Sequence, residues 1–182
     1  MAKRRLFIGS MVSVQNLPEV REKIEELQIE GKWVEPENLH FTYRFLGEIE
    51  EERIPQIKLA LSGSLRKAKP HKVELKGLGV FKRNGVPSVL WVGVVSDEVI
   101  EIKKLIDKSL KVFGFAPEEK FTPHVTLLRI KRFRHKAKFN SYLLKMRDFS
   151  FGSKTEKSIY LVESKLTSKG PKYTVLEEFS LG

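Results

Sequence analysis

The chain has 182 residues, 41% of them hydrophobic, and carries 34 Lys and Arg against 23 Asp and Glu, a net charge of +11. This composition suits a soluble globular protein with a sizeable core; it holds no apolar run near the roughly 18 residues that span a bilayer, and the absence of cysteine excludes disulfide frameworks, thiolate catalysis and Cys-based metal sites. The positive balance favours polyanionic partners, nucleic acid first, although a 31% charged content with four Asn and three Gln fits solubility and thermal adaptation equally well.

The opening MAKRRLFIGSMVSV is positively charged and then apolar, but the apolar part is short and alternates with polar residues. It reads as a strand near residues 4–13 rather than an export signal, so a cytoplasmic protein is expected. NLPEVREKIEELQIEG follows as a helix, with Asn16 as cap, Pro18 in the first turn, Val20, Ile24 and Leu27 at helical spacing, and Gly31 at its end. KWVEPEN turns through Pro36 into the strand NLHFTYRFLG, and EIEEERIPQIKLALSGSLRKA predicts a second helix with Pro55 in its first turns.

HKVELKGLGVF and SVLWVGVV predict two strands joined at Asn84-Gly85, a pair that marks tight hairpin turns. SDEVIEIKKLIDKSLKVFGF predicts a helix with Val99, Ile102, Leu105, Ile106, Leu110 and Phe113 on one stripe, and with Ser96 or Asp97 as cap. FTPHVTLLRI reads as a strand and KAKFNSYLLKMRDF as a short helix; KSIYLVESKLT and PKYTVLEEFSLG form a terminal hairpin around SKGP. The sum is an α+β protein with several antiparallel strands.

One feature repeats. In NLHFTYRFLG, strand alternation puts His40, Thr42 and Arg44 on one face and Phe41, Tyr43 and Phe45 on the other. FTPHVTLLRI does the same with His124 and Thr126, 84 residues on and nearly half the chain away. Random placement of four His and six Thr predicts only about 0.13 His-x-Thr matches in 182 residues. A single copy would carry little, since a strand histidine is commonly a satisfied structural residue; two copies at matching places point to an internal duplication.

If the halves pack about a pseudo-two-fold axis, the polar faces line one cleft and present two imidazoles to whatever lies between them. One can act as general base and the other as general acid, while the Thr hydroxyls donate hydrogen bonds to charged oxygens. Hydrolysis of a phosphodiester needs that arrangement and no metal. Metal binding is the competing use of two histidines, but neither copy has a carboxylate or Cys at helical ligand spacing.

With their neighbours, as PENLHFTYRFLGE and FTPHVTLLRIK, the paired motifs resemble the 2H phosphoesterase superfamily, and within it the RNA 2′,3′-cyclic phosphodiesterase branch, also called 2′-5′ RNA ligases. The similarity extends over essentially the whole chain, including LFIGSMV and the GLGVF…VLWVGV hairpin. It implies one bilobal domain over residues 1–182, with two pseudo-two-fold related lobes whose antiparallel sheets face a central cleft and whose helices lie outside.

The resemblance also implies that His40 is the proton donor and His124 the proton acceptor, with Thr42, Thr126 and Arg129 binding phosphate and no cofactor. The residues themselves leave open which histidine gives the proton. The implied reaction opens a terminal 2′,3′-cyclic phosphate to a 2′-phosphomonoester; a 5′-hydroxyl RNA end in place of water would give a 2′-5′ linkage without ATP. The implied partner is RNA with a cyclic phosphate end, tRNA halves among them, and the protein is expected to be a monomer. Two alternatives stand beside this: a 2H enzyme acting on small cyclic nucleotides, and a non-catalytic RNA-binding module.

Simple alternation puts Arg129 on the face opposite His124, so its reach to phosphate requires a bulge, a twist or the full side-chain length. Arg44 falls on the His40 face and is a candidate phosphate contact or a structural ion pair. The basic run Lys131, Arg132, Arg134, Lys136 and Lys138 is either a guide for RNA or a solvated face. His71 and His135 lack the following Thr and read as ordinary surface or strand residues, and Phe7 and Phe81 are candidates for base stacking or for the core.

Overall fold

The computed structural model describes residues 2–182. Alternating apolar stretches pair into one curled antiparallel sheet from β1 (Lys3–Met11), β2 (Glu30–Trp33), β3 (His40–Glu50), β4 (His71–Arg83), β5 (Val86–Val95), β6 (His124–Arg132), β7 (Ser150–Glu156), β8 (Ser158–Thr167) and β9 (Gly170–Ser180). The order is β7-β4-β5-β6-β3-β1-β8-β9, with β2 added on β6. Four strands therefore lie on each side of the β6–β3 seam, in the arrangement a two-fold axis through that seam produces. Lobe one is β3-β1-β8-β9 and lobe two is β6-β5-β4-β7.

Among the described residues four α-helices cover the sheet: α1 (Leu17–Glu26), α2 (Ile54–Leu65), α3 (Asp97–Leu110) and α4 (Lys136–Lys145). Helix α3 buries Val99, Ile102, Ile106 and Leu110, each contributing roughly 1.5–3 kcal/mol when fully removed from water. The Ser96 hydroxyl caps it by accepting from the Val99 amide. It packs beside α2, which buries Ile57, Leu61 and Leu65. Helix α1 lies by α4 and β2, with Lys23 over the Tyr142 ring and Arg21 over Trp33. Among the described residues no helix is long and apolar enough to cross a membrane.

Several expected boundaries move. The first helix ends at Glu26, and Gly31 lies in β2, where its backbone meets β6 so closely that a Cβ would sit 2.1 Å from the Arg129 carbonyl oxygen. The second helix starts at Ile54, because Glu48–Glu50 extend β3 in register with Lys3–Arg5. Strand β7 was not expected, since SFGSKTE holds too few apolar residues to signal alternation; it is specified by its pairing with β4. The Asn84-Gly85 turn is as expected, with both residues at positive φ as a type I′ hairpin requires.

Candidate active site

Each His-x-Thr strand carries a β-bulge just after its Thr. On β3 the register runs Gly9 with Thr42, then Ile8 with Arg44, leaving Tyr43 unpaired. On β6 it runs Trp91 with Thr126, then Leu90 with Leu128, leaving Leu127 unpaired. Two consecutive residues are buried in each strand, Tyr43–Arg44 and Leu127–Leu128, and the alternation is inverted beyond them. Arg129 thereby returns to the face of His124 and Thr126.

The same bulge corrects the expectation for Arg44. Its side chain turns away from His40 and is buried on the helix side of the sheet, where its Nη1 donates to Asp107 Oδ1 at 3.2 Å and to the Ala116 carbonyl at 2.8 Å. Phe45, assigned by alternation to the buried face, instead occupies the cleft face and is 67% exposed.

The seam brings the two motifs together. Phe41 of β3 pairs with Val125 of β6, so the residues directly after the two histidines face each other across the boundary between lobes. His40 Nδ1 donates to the Asn38 carbonyl at 2.7 Å, and His124 Nδ1 donates to the Thr122 carbonyl at 2.8 Å. A carbonyl oxygen can only accept, so each Nδ1 carries the proton and each Nε2 is the nitrogen able to take one up. Thr42 and Thr126 sit half-buried two residues further along the same faces.

Aromatic rings fix both imidazoles. Phe7, 3% exposed, stacks on His40 at 4.8 Å, and Tyr173 of β9 meets the same ring edge-on at 5.1 Å. Phe81 meets His124 edge-on at 4.7 Å, with Trp91 at 6.1 Å. Phe7 and Phe81 therefore support the imidazoles. Tyr173 had no signal in the sequence, since only the tertiary fold carries it across the sheet to His40.

Burial pushes the His40 imidazole below its usual pKa; the Asn38 carbonyl opposes this, and positive charge at His124 and Arg129 adds to it. Burial likewise lowers His124, opposed by the Thr122 carbonyl and reinforced by Arg129. The charge of Arg129 also reaches Tyr173. The guanidinium of Arg129 thus shares one electrostatic neighbourhood with the two imidazoles and favours their neutral forms.

Behind the cleft, the buried Glu156 of β7 ties the lobes together. It accepts from Ser10 of β1 and from the Tyr43 hydroxyl at 3.0 Å, and it pairs with Lys154 at 3.1 Å. Lys154 also donates to the Met11 carbonyl at 3.0 Å, beside the His40 end of β3. Burial and the Glu156 carboxylate hold the Tyr43 phenol well above its ordinary pKa, so it stays a donor.

The remaining candidates lie elsewhere. His71 is buried in β4, its Nδ1 donating to the Lys69 carbonyl, and His135 precedes α4 with Nε2 3.3 Å from Gln28 Oε1. Lys131, Arg132, Arg134, Lys136 and Lys138 are all exposed, running from the outer end of β6 onto α4, and Arg132 pairs with Glu30 at 3.6 Å.

A sequence model of the LigT like Phosphoesterase family matches residues 11–91 and again residues 92–173, once for each His-x-Thr motif. The chain is 40% identical to the RNA 2′,3′-cyclic phosphodiesterase of Aquifex aeolicus over 98% of its own length and 97% of that protein's. It is 36% identical to the protein of the same name from Methanocaldococcus jannaschii, over 96% and 99% of the two chains. Among solved structures it is similar to TT0787 of Thermus thermophilus, with a TM-score of 0.74 at 30% identity covering 97% of each chain. The apo form of E. coli LigT shares the fold, with a TM-score of 0.70 at 24% identity, covering 100% of this chain and 99% of that one. With matches to both halves and relatives of this identity along nearly its whole length, the chain belongs to the LigT-like phosphoesterase family.

Proposed function

We propose that this protein opens the terminal 2′,3′-cyclic phosphate of RNA to a 2′-phosphomonoester by acid/base catalysis from His40 and His124, within a single bilobal domain that arose by duplication. The observation that carries the reading is the pair of imidazoles at the seam, each with Nδ1–H held by a carbonyl and Nε2 left to move a proton. His124 takes a proton from water as the water oxygen bonds to phosphorus. The P–O3′ bond breaks, and the departing O3′ takes its proton from the His40 imidazolium. Thr42, Thr126 and Arg129 donate to the non-bridging oxygens, where charge builds in the transition state.

With these residues moving the protons and stabilising the charge, the reaction asks nothing of a metal. A 5′-hydroxyl RNA end in place of water forms a P–O5′ bond as P–O3′ breaks, leaving a 2′-5′ linkage driven by release of ring strain rather than by ATP. Relatives named RNA 2′,3′-cyclic phosphodiesterase at 36–40% identity support RNA as the substrate, and the net charge of +11 suits a polyanion.

The test is incubation of an oligoribonucleotide ending in a 2′,3′-cyclic phosphate, with EDTA present. Wild type is expected to yield the 2′-monoester, and His40→Ala and His124→Ala to lose roughly 10²–10⁴-fold in kcat. Turnover that vanishes with EDTA would refute the metal-independent mechanism, and turnover of mononucleoside cyclic phosphates with none of the oligonucleotide would refute the RNA reading.

A further inference from the structure

The acid/base reaction makes no use of the basic run that follows β6, and its charges are not laid out as those of a solvated face. Residues 131–147 hold seven Lys and Arg and no Asp or Glu, a large part of the chain's net charge of +11 in one short segment. Elsewhere exposed cations interleave with acids one helical turn away: Arg21 pairs with Glu25 at 3.0 Å, Lys23 with Glu26 at 3.3 Å and Lys104 with Glu101 at 3.2 Å. Helix α4 has no acid with which to do this.

Helix α4 also carries its charge against its dipole. Lys136 and Lys138 lie in its first turn, where free backbone N–H groups already make the end positive, and no acidic side chain offsets them. By contrast, Glu19 occupies the first turn of α1, and Asp97 and Glu98 that of α3. A helix that breaks the rule its neighbours follow, with nothing inside the protein to compensate, is laid out for an anion from outside.

The same helix forms one wall of a cavity of about 480 Å³. Lys138, Ser141, Tyr142 and Lys145 line it with Ala137, and Lys23 of α1 closes the other side. Lys138 and Lys145 are two turns apart on one face of α4, with the Ser141 hydroxyl between them. Three ammonium groups and two hydroxyls thus surround the space and no carboxylate lines it; Glu26 reaches only Lys23. The buried Phe139 meets Phe133 edge-on at 5.1 Å, which fixes α4 against the end of β6 and makes the wall rigid.

This groove is separate from the histidines. His124 opens β6 and Arg132 closes it, a run of about 26 Å at about 3.3 Å per residue. At about 3.4 Å per stacked nucleotide, that is about eight nucleotides of a single strand. Arg129, Lys131 and Arg134, all exposed, lie along the way.

We infer that the α1–α4 groove, with the basic run leading to it, holds the phosphate backbone of the substrate RNA on the 5′ side of its cyclic end, as a docking surface apart from the catalytic cleft. The inference rests on the phosphodiesterase reading above and adds a length requirement: an RNA too short to leave the cleft gains nothing from this surface. Ammonium and hydroxyl groups of this kind grip phosphate and read no base, so the gain is independent of sequence.

The test measures kcat and KM for a dinucleotide and for a strand of about sixteen nucleotides, about twice that reach, each ending in a 2′,3′-cyclic phosphate. The double variant Lys138→Gln, Lys145→Gln is expected to raise KM for the long strand about tenfold and to lower its dependence of log KM on log salt by about 1.4, two phosphates at about 0.7 each. On the dinucleotide, kcat and KM are expected to stay within about twofold of wild type. Its melting temperature is expected to hold or rise, because Lys138 leaves a helix end that is already positive. Lys138→Arg, Lys145→Arg keeps both charges and is expected to match wild type. Lys108→Gln, Lys111→Gln removes the same charge from the exposed end of α3 and is expected to leave both substrates unaffected. A loss as large in that control would show that net charge alone attracts the RNA. That result, an equal loss on both substrates, or no loss on the long strand would overturn the docking surface while leaving the phosphodiesterase reading intact. Failure of the wild type on both substrates would overturn that reading and the inference with it.

Discussion

Replacing Asp107 with Asn removes one charge from the cluster beneath the β3 bulge and leaves its shape in place. Asp107 Oδ1 accepts from Lys103 Nζ at 3.0 Å and from Arg44 Nη1 at 3.2 Å, and Oδ2 accepts from the Glu118 amide at 3.1 Å. Arg44 is 9% exposed and Lys103 only 3%. Without the carboxylate, two buried cations share the single half-exposed Glu118, which lies 2.6 Å from Lys103 and 3.6 Å from Arg44. Breaking such a buried pair costs about 3–5 kcal/mol. At about 2.1 cal/mol/K per residue, 182 residues give an unfolding entropy near 0.38 kcal/mol/K, so Tm is expected to fall by about 8–13 °C. Calorimetry at neutral pH measures this directly. The triple variant Arg44→Met, Lys103→Met, Asp107→Leu, which removes all three charges, is expected to recover most of the loss. A fall in Tm of less than about 2 °C for Asp107→Asn would show that the cluster is solvated and that the reasoning fails.

Arg129→Gln removes a cation that disfavours protonation of both imidazoles, so both pKa values rise and both limbs of the bell-shaped kcat/KM profile move to higher pH. A profile that weakens without moving would place the guanidinium outside the field of the histidines. A substrate with sulfur at the departing 3′ position leaves as a thiolate and needs no proton. On it His40→Ala is expected to recover to within about tenfold of wild type, while His124→Ala keeps its full loss of roughly 10²–10⁴; recovery of the His124 variant instead would reverse the two roles. Gly31→Ala drives a Cβ into the Arg129 carbonyl at 2.1 Å and is expected to cost about 1–3 kcal/mol, read as a lower denaturant midpoint. Gly63→Ala, in α2 with nothing within 4 Å, is expected to gain about 1 kcal/mol.

The histidine–threonine pairs, the Asn84-Gly85 hairpin and the buried stripe of α3 were legible because each is a local pattern, read within a few residues along the chain. The bulges were not. Whether Arg44 or Phe45 faces the cleft depends on which residue of β3 is skipped in the register with β1, a relation between strands about thirty residues apart. Alternation along one strand carries no information about that, so Arg44 was placed on the wrong face, and Arg129 could be assigned only on condition of a bulge. Strand β2 escaped for a related reason: four residues around Gly31 make too short a pattern, and their conformation is set by β6. Tyr173 lies far along the chain from His40, and only the β8–β9 hairpin and the curl of the sheet bring it to the imidazole.

Among the described residues, β3 and β6 meet across the seam at a single backbone rung, Phe41 with Val125, whereas β1 and β3 within lobe one hold nine paired positions. That rung joins the residues directly after the two histidines, so a shift of β3 against β6 carries one imidazole relative to the other. Glu156, bound to Ser10 and Tyr43 on the far side of the sheet, is a second tie between the lobes, made by side chains rather than by backbone. Under the acid/base reading proposed above, the buried carboxylate that ties the two lobes bears on the spacing of the two histidines, and selection on reaction geometry can act on a residue outside the site.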